Sequence, residues 1–101
     1  MTTNKIARRR GKDAERYIAR AVKGKRILQQ GLNVPDVETA AFVYQVKERN
    51  HIPQWIILAM VNAQRYAKAK DKTPAVALVE LEHRHSYILV TLEDWIDLTG
   101  G

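Results

Sequence analysis

Phe42-Val43-Tyr44-Gln45-Val46-Lys47 is the stretch on which the reading of this chain turns, together with Pro35-Asp36 a little upstream. β-Branched and aromatic residues dominate the first stretch, which predicts a strand. Side chains alternate across a strand, so Val43, Gln45 and Lys47 share one face and Phe42, Tyr44 and Val46 the other. Eight residues separate Asp36 from Gln45. That is room for a second strand and a turn, so the two can lie on neighbouring strands. An Asp on one strand and an oxygen donor on the next can share a divalent ion, because hard cations prefer oxygen ligands. A Lys two residues after the second donor leaves the strand on the same side. An ammonium there can steady developing phosphate charge or position an attacking water.

Working outward, residues 6–22 predict a first helix with an apolar stripe of Ala14, Tyr17, Ile18, Ala21 and Val22. Gly24 is placed to end it. Residues 25–28 suit a short strand, and residues 29–35, with Gly31, Asn33 and Pro35, suit a loop. Pro53 fits the first turn of a second helix running to about Lys70. Ile56, Ala59, Met60, Ala63 and Ala67 form its main stripe, while Ile57, Leu58 and Val61 make it apolar on more than one side. Residues 75–81 and 86–91 read as strands joined by a polar turn at residues 82–85. Thr91 followed by Asp94 resembles a helix cap, opening a last helix over residues 92–98. The order α-β-β-β-α-β-β-α predicts an α/β (α+β) fold, a single domain over residues 1–101 with helices flanking a mixed central sheet.

Charge is distributed unevenly along the 101 residues. The net charge is +6, yet residues 1–30 hold ten Lys and Arg against Asp13 and Glu15 alone, a local balance of +8. A basic segment on a nearly neutral body is the electrostatic footprint of a phosphate-backbone binder. No cysteine is present, which excludes a disulfide framework and a thiolate zinc site and fits a reducing compartment. The longest apolar run, residues 55–61, is too short to span a bilayer. A soluble, cytoplasmic (intracellular) protein without a membrane partner is expected. No Ser-His-Asp pattern, glycine-rich phosphate loop or HExxH motif occurs.

Pro35-Asp36, Gln45-Val46-Lys47 and the helical Glu15 resemble the PD-(D/E)XK nuclease superfamily. The nearest likeness is to small phage and archaeal Holliday-junction-resolvase-like endonucleases. Their first helix commonly carries a basic, glycine-containing run leading to a Glu, which here is Arg8-Arg9-Arg10-Gly11-Lys12-Asp13-Ala14-Glu15. The element order is similar too, and the resemblance covers roughly residues 5–98. It implies a restriction-endonuclease-like sheet and a Mg²⁺- or Mn²⁺-dependent DNA endonuclease selective for branched or junction DNA, acting as a homodimer. Asp36 would then be the central metal ligand, with Glu15 approaching from the helix. Gln45 would give a side-chain oxygen, Val46 a backbone carbonyl, and Lys47 would polarise the water. Arg8, Arg9, Arg10, Lys12 and Arg16 would hold DNA phosphates, and Gln64 is a further candidate. The family expects Asp or Glu where this chain has Gln45, which removes a negative charge from the metal site. Glu38 is placed to compensate if its stretch is extended.

Plainer readings stand beside these. Glu15 can pair within the helix with Arg8 or Lys12, and Asp36 can be an ordinary turn residue. Tyr17, Tyr44 and Tyr66 read as packing residues, and His83-Arg84-His85 as a polar hairpin tip. Two rival functions also remain: a non-catalytic nucleic-acid-binding module with a degenerate site, and a protein whose basic helix docks on an acidic partner. The over-apolar side of the second helix is the candidate dimer interface.

Overall fold

The computed structural model describes residues 2–28 and 35–100, with side chains on the first helix from Lys12 onward. The expected order is present: α1 (Thr2–Ala21), β1 (Lys25–Arg26), β2 (Val37–Glu38), β3 (Val43–Tyr44), α2 (Gln54–Lys70), β4 (Val76–Glu80), β5 (His85–Leu89) and α3 (Leu92–Thr99). The chain is mixed α and β and divides into two compact units, one ending at Asn50 and one spanning His51–Gly100.

In the first unit, β1, β2 and β3 form an antiparallel sheet with β2 in the middle. Arg26 lies opposite Val37, and Val37 opposite Tyr44, so these three side chains share a face. α1 packs against β1 and β2. Val37 is completely buried, and Ala19 and Val22 on α1 are buried as well. Tyr17, expected in the helical stripe, is 59% exposed. Of the rest of that stripe, Val22 is buried and Ala14, Ile18 and Ala21 are partly buried, but the inward face is centred on Glu15, Ala19 and Val22, at i, i+4 and i+7 on one side of a helix. The helix is thus rotated from the expected one, because small Ala19 permits the close approach that bulky Tyr17 would block.

α1 ends in a Schellman turn. Gly24 N–H donates to the Ala19 carbonyl at 2.8 Å and Lys23 N–H to that of Arg20 at 3.3 Å. The left-handed residue is Lys23 (φ 55°), not the glycine. Gly24 is required for another reason: a Cβ there would stand 2.8 Å from the Glu38 carbonyl oxygen and 2.9 Å from Val37 Cγ1. A tight turn closes β2 onto β3, with Thr39 N–H donating to the Phe42 carbonyl at 2.8 Å and Phe42 N–H to Thr39 Oγ1 at 3.0 Å.

In the second unit, α2 packs against β4. Met60 and Ala67 of the expected stripe are buried, whereas Ile57, Leu58 and Val61 are exposed. Pro53 stands one position before the helix rather than in its first turn. Its carbonyl accepts from Ile56 N–H at 3.0 Å. β4 and β5 form an antiparallel hairpin running from Val76 opposite Leu89 to Glu80 opposite His85. Arg84 (φ 58°) turns its tip, where the Glu80 carboxylate accepts from His83 N–H and lies 2.7 Å from His83 Nδ1. Thr91 caps α3 as the sequence predicts, accepting from Asp94 N–H at 3.2 Å, and Gly100 closes the helix in the left-handed conformation.

The expectation of one mixed sheet differs from what the described strands form: two separate antiparallel sheets, of three and two strands. The strand expected over residues 42–47 reduces to Val43–Tyr44. Partner choice between strands is set by non-local packing, which hydrophobic alternation along one strand does not encode. The sequence-predicted loop at residues 29–34 lies outside the described residues, as do the side chains of Arg8, Arg9 and Arg10.

Candidate functional site

Asp36 sits at the entry to β2. Its N–H donates to the Tyr44 carbonyl at 2.9 Å, and its own carbonyl accepts from Ile27 N–H at 3.0 Å. In a regular strand the N–H and C=O of one residue point to the same neighbour. Here they point to opposite neighbours, β3 and β1. Tyr44 already has Val37 as its register partner, so two residues of β2 face one of β3, the pattern of a β-bulge. Bulges re-aim a side chain, and this one turns the Asp36 carboxylate along β3. Oδ2 accepts from Val46 N–H at 2.6 Å. Among the described residues nothing donates to Oδ1. Asp36 is therefore more than a solvated turn residue: one oxygen is fixed by the backbone, and no described residue occupies the other.

Glu15 shows the same division of labour. Because it shares a helical face with Ala19 and Val22, it points at the sheet. Arg26 on β1 meets it, with Nη2 at 2.9 Å and Nε at 3.3 Å from the same oxygen, Oε2. The pair is largely covered, Arg26 being 22% and Glu15 24% exposed at the side chain. Oε1 accepts from no described residue. Among the described residues Glu15 thus pairs across the helix–sheet boundary and not with Lys12, while Asp13 serves as a local partner to Arg16 at 3.3 Å; the Arg8 side chain lies outside the described residues. Arg26 was missed because it reads as one more cation in a basic run. Its signal was position: it alternates with exposed Lys25 on a strand that must turn one face to α1.

The other candidates fall around these two. Val46 is joined to Asp36 through its N–H, and Tyr44 and Val46 are both partly buried. Val43, Gln45 and Lys47 are exposed, as the alternation predicts. No hydrogen bond or ion pair directly links Glu15 to Asp36 or to Lys47 among the described residues. Glu38 lies opposite Lys25 and Val43, one step beyond Val37. Lys12 and Arg16 are exposed on α1. Gln64 belongs to the second unit, where it lines an open hollow with Lys68, Lys72 and Pro74. Tyr66, expected to pack, is 71% exposed, while Tyr44 is partly buried with its ring tilted against Phe42 at 6.1 Å.

Asp36, Gln45 and the Val46 carbonyl offer only hard oxygen donors, which suit Mg²⁺ or Mn²⁺ in type. No three His, Cys, Asp or Glu side chains gather into a metal-holding cluster among the described residues. With Gln45 in the place of an acid, the set supplies two carboxylates. The charges of Glu15, Asp36, Arg26 and Lys47 cancel. Such a set attracts a bare cation weakly. No protein-family model, curated protein or solved structure matches the chain. No helix among the described residues is long and apolar enough to cross a membrane.

Proposed function

We propose that this chain is a divalent-metal-dependent DNA endonuclease of the PD-(D/E)XK type, selective for branched or junction DNA, in a restriction-endonuclease-like fold. The observation that carries this reading is the bulged Asp36, its Oδ2 tied to Val46 N–H and its Oδ1 accepting from no described residue. Fixing one oxygen through a backbone donor orients the carboxylate, as outer hydrogen bonds do for metal ligands in general. A bound Mg²⁺ or Mn²⁺ would neutralise phosphate charge and lower the pKa of a coordinated water. Asp36 is the central ligand in this reading, with Gln45 and the Val46 carbonyl completing the oxygen set. Glu15 contributes through Oε1 while Arg26 keeps it in place. Lys47, exposed beside Gln45, meets the scissile phosphate or its attacking water. Arg8, Arg9, Arg10, Lys12 and Arg16 hold neighbouring phosphates without reading sequence. The reading places the protein inside the cell as a homodimer, since symmetric cutting of two strands needs two centres.

The test is cleavage of labelled linear duplex, flap and four-way-junction DNA with Mg²⁺, Mn²⁺ or EDTA. Wild type is compared with Asp36→Ala and Lys47→Ala. Cutting that needs metal and is lost in both variants is the expected result. Salt-sensitive binding without cutting in either metal would support the second reading, a non-catalytic nucleic-acid-binding module. Gln45 and the neutralisation of Glu15 by Arg26 favour that alternative.

A further inference from the structure

α1 carries its charge in an ordered way. Lys12, Arg16 and Arg20 recur at i, i+4 and i+8, so they stack as one ridge. Lys23 follows in the turn that ends the helix and Lys25 begins β1. All five are exposed. Only Arg16 has an acidic partner among the described residues, Asp13 at 3.3 Å, and both of those side chains are mostly exposed. The same spacing continues one step back in the sequence, to Arg8. Like charges four apart destabilise a helix by a few tenths of a kcal/mol per pair, so this ridge carries a standing repulsion that a polyanion would relieve.

We infer that this ridge, from Lys12 through Arg20 to Lys23, is a track for a nucleic-acid phosphate backbone. It extends the proposed phosphate contacts past the helix start to the far end of α1. From Lys12 to Lys23 the track is about 17 Å long at 1.5 Å per residue. That length of duplex carries about ten phosphates on its two strands, enough for every cation on the ridge. Two facts favour this occupant over others. Among the described residues of α1, Ala19 and Val22 are buried, in a helix that packs on the sheet, and Tyr17 is the one large apolar side chain left exposed, too little apolar surface to insert into a lipid surface. Lys12, Arg16 and Arg20 are also spaced at regular four-residue steps along a shallowly winding ridge, which matches a periodic polyanion better than the irregular acids of a protein surface.

The inference rests on the nucleic-acid reading above, and the experiment separates the two. Binding of a fluorescent four-way junction and of a duplex is measured between 50 and 200 mM salt, as order-of-magnitude limits. Three proteins are compared: wild type, the double variant Arg20→Gln/Lys23→Gln, and the control Lys70→Gln/Lys72→Gln. Both doubles remove the same charge, and circular dichroism checks that each is folded. The expected result is a log–log salt slope about 1.8 smaller for the ridge double and unchanged for the control. Equal losses in both doubles, or none in the ridge double, would overturn the track and leave the nucleic-acid reading standing. Absence of DNA binding by wild type, or tighter binding to vesicles of anionic phospholipid than to DNA, would overturn both.

Discussion

At the scale of single residues, the covered pair of Glu15 and Arg26 sets a constraint. Two guanidinium nitrogens converge on one carboxylate oxygen, and either partner alone would be a poorly solvated charge. Arg26→Gln is expected to destabilise the fold by about 1–3 kcal/mol. The double variant Glu15→Gln/Arg26→Gln should recover part of that loss, because no lone charge remains. Urea unfolding of the four proteins measures this; a double variant that loses the sum of the singles would count against the coupling. Glu80 makes a pH-dependent contribution. The His83 N–H, then the His83 side chain, hold its carboxyl below the ordinary glutamate value against the opposing effect of desolvation. A carboxyl depressed in the folded state stabilises above its unfolded pKa, and the contribution fades as pH falls through the folded value. An NMR titration of the Glu80 carboxyl should therefore give a midpoint below that of an exposed glutamate. A midpoint at the ordinary value would remove the tip hydrogen bonds from solution.

At the scale of elements, local chemistry was legible and pairing was not. The Thr91 cap, the buried Met60 and Ala67 of α2 and the His83-Arg84-His85 tip follow from residues within one turn of each other. The rotation of α1 did not, because Tyr17 and Ala19 are both apolar and only the sheet decides between them. The bulge at Asp36 was hidden as well, since alternation counts residues and a bulge miscounts by one. Arg26 was invisible as the partner of Glu15 because the two lie on different elements. The junction of α1 with β2 gives a sharp test. Gly24→Ala would push a methyl against the Glu38 carbonyl and Val37, where the neighbours are backbone and a completely buried side chain. A loss of about 1–3 kcal/mol is expected, read from urea midpoints. An unchanged midpoint would mean that α1 does not pack this closely on β2.

At the scale of the whole molecule, exposed apolar surface is the outstanding feature. Leu58 is 52% exposed on α2, alongside Ile57, Val61 and Trp55, and no charged residue occurs from Pro53 to Gln64. Copies of a chain with net charge +6 repel one another, so an uncharged helix face is where self-association costs least. The proposed homodimer is tested by Leu58→Glu, which should convert a dimer to a monomer in size-exclusion chromatography with light scattering while leaving the helical signal unchanged. A wild-type monomer at micromolar concentration would remove this interface and with it the symmetric two-strand cut.

The hydrogen bond from Val46 to Asp36 makes the protein its own indicator. With the Val46 nitrogen 2.6 Å from Oδ2, its amide proton is polarised directly by the Asp36 carboxylate. Anything that draws electron density from that carboxylate, such as a bound cation, weakens its pull on the proton. If the proposed metal site forms, the Val46 amide resonance should move upfield in a ¹H–¹⁵N spectrum as Mg²⁺ is added to large excess, with no cleavage or engineered label required. Occupancy of the proposed site would thereby be written into one backbone signal.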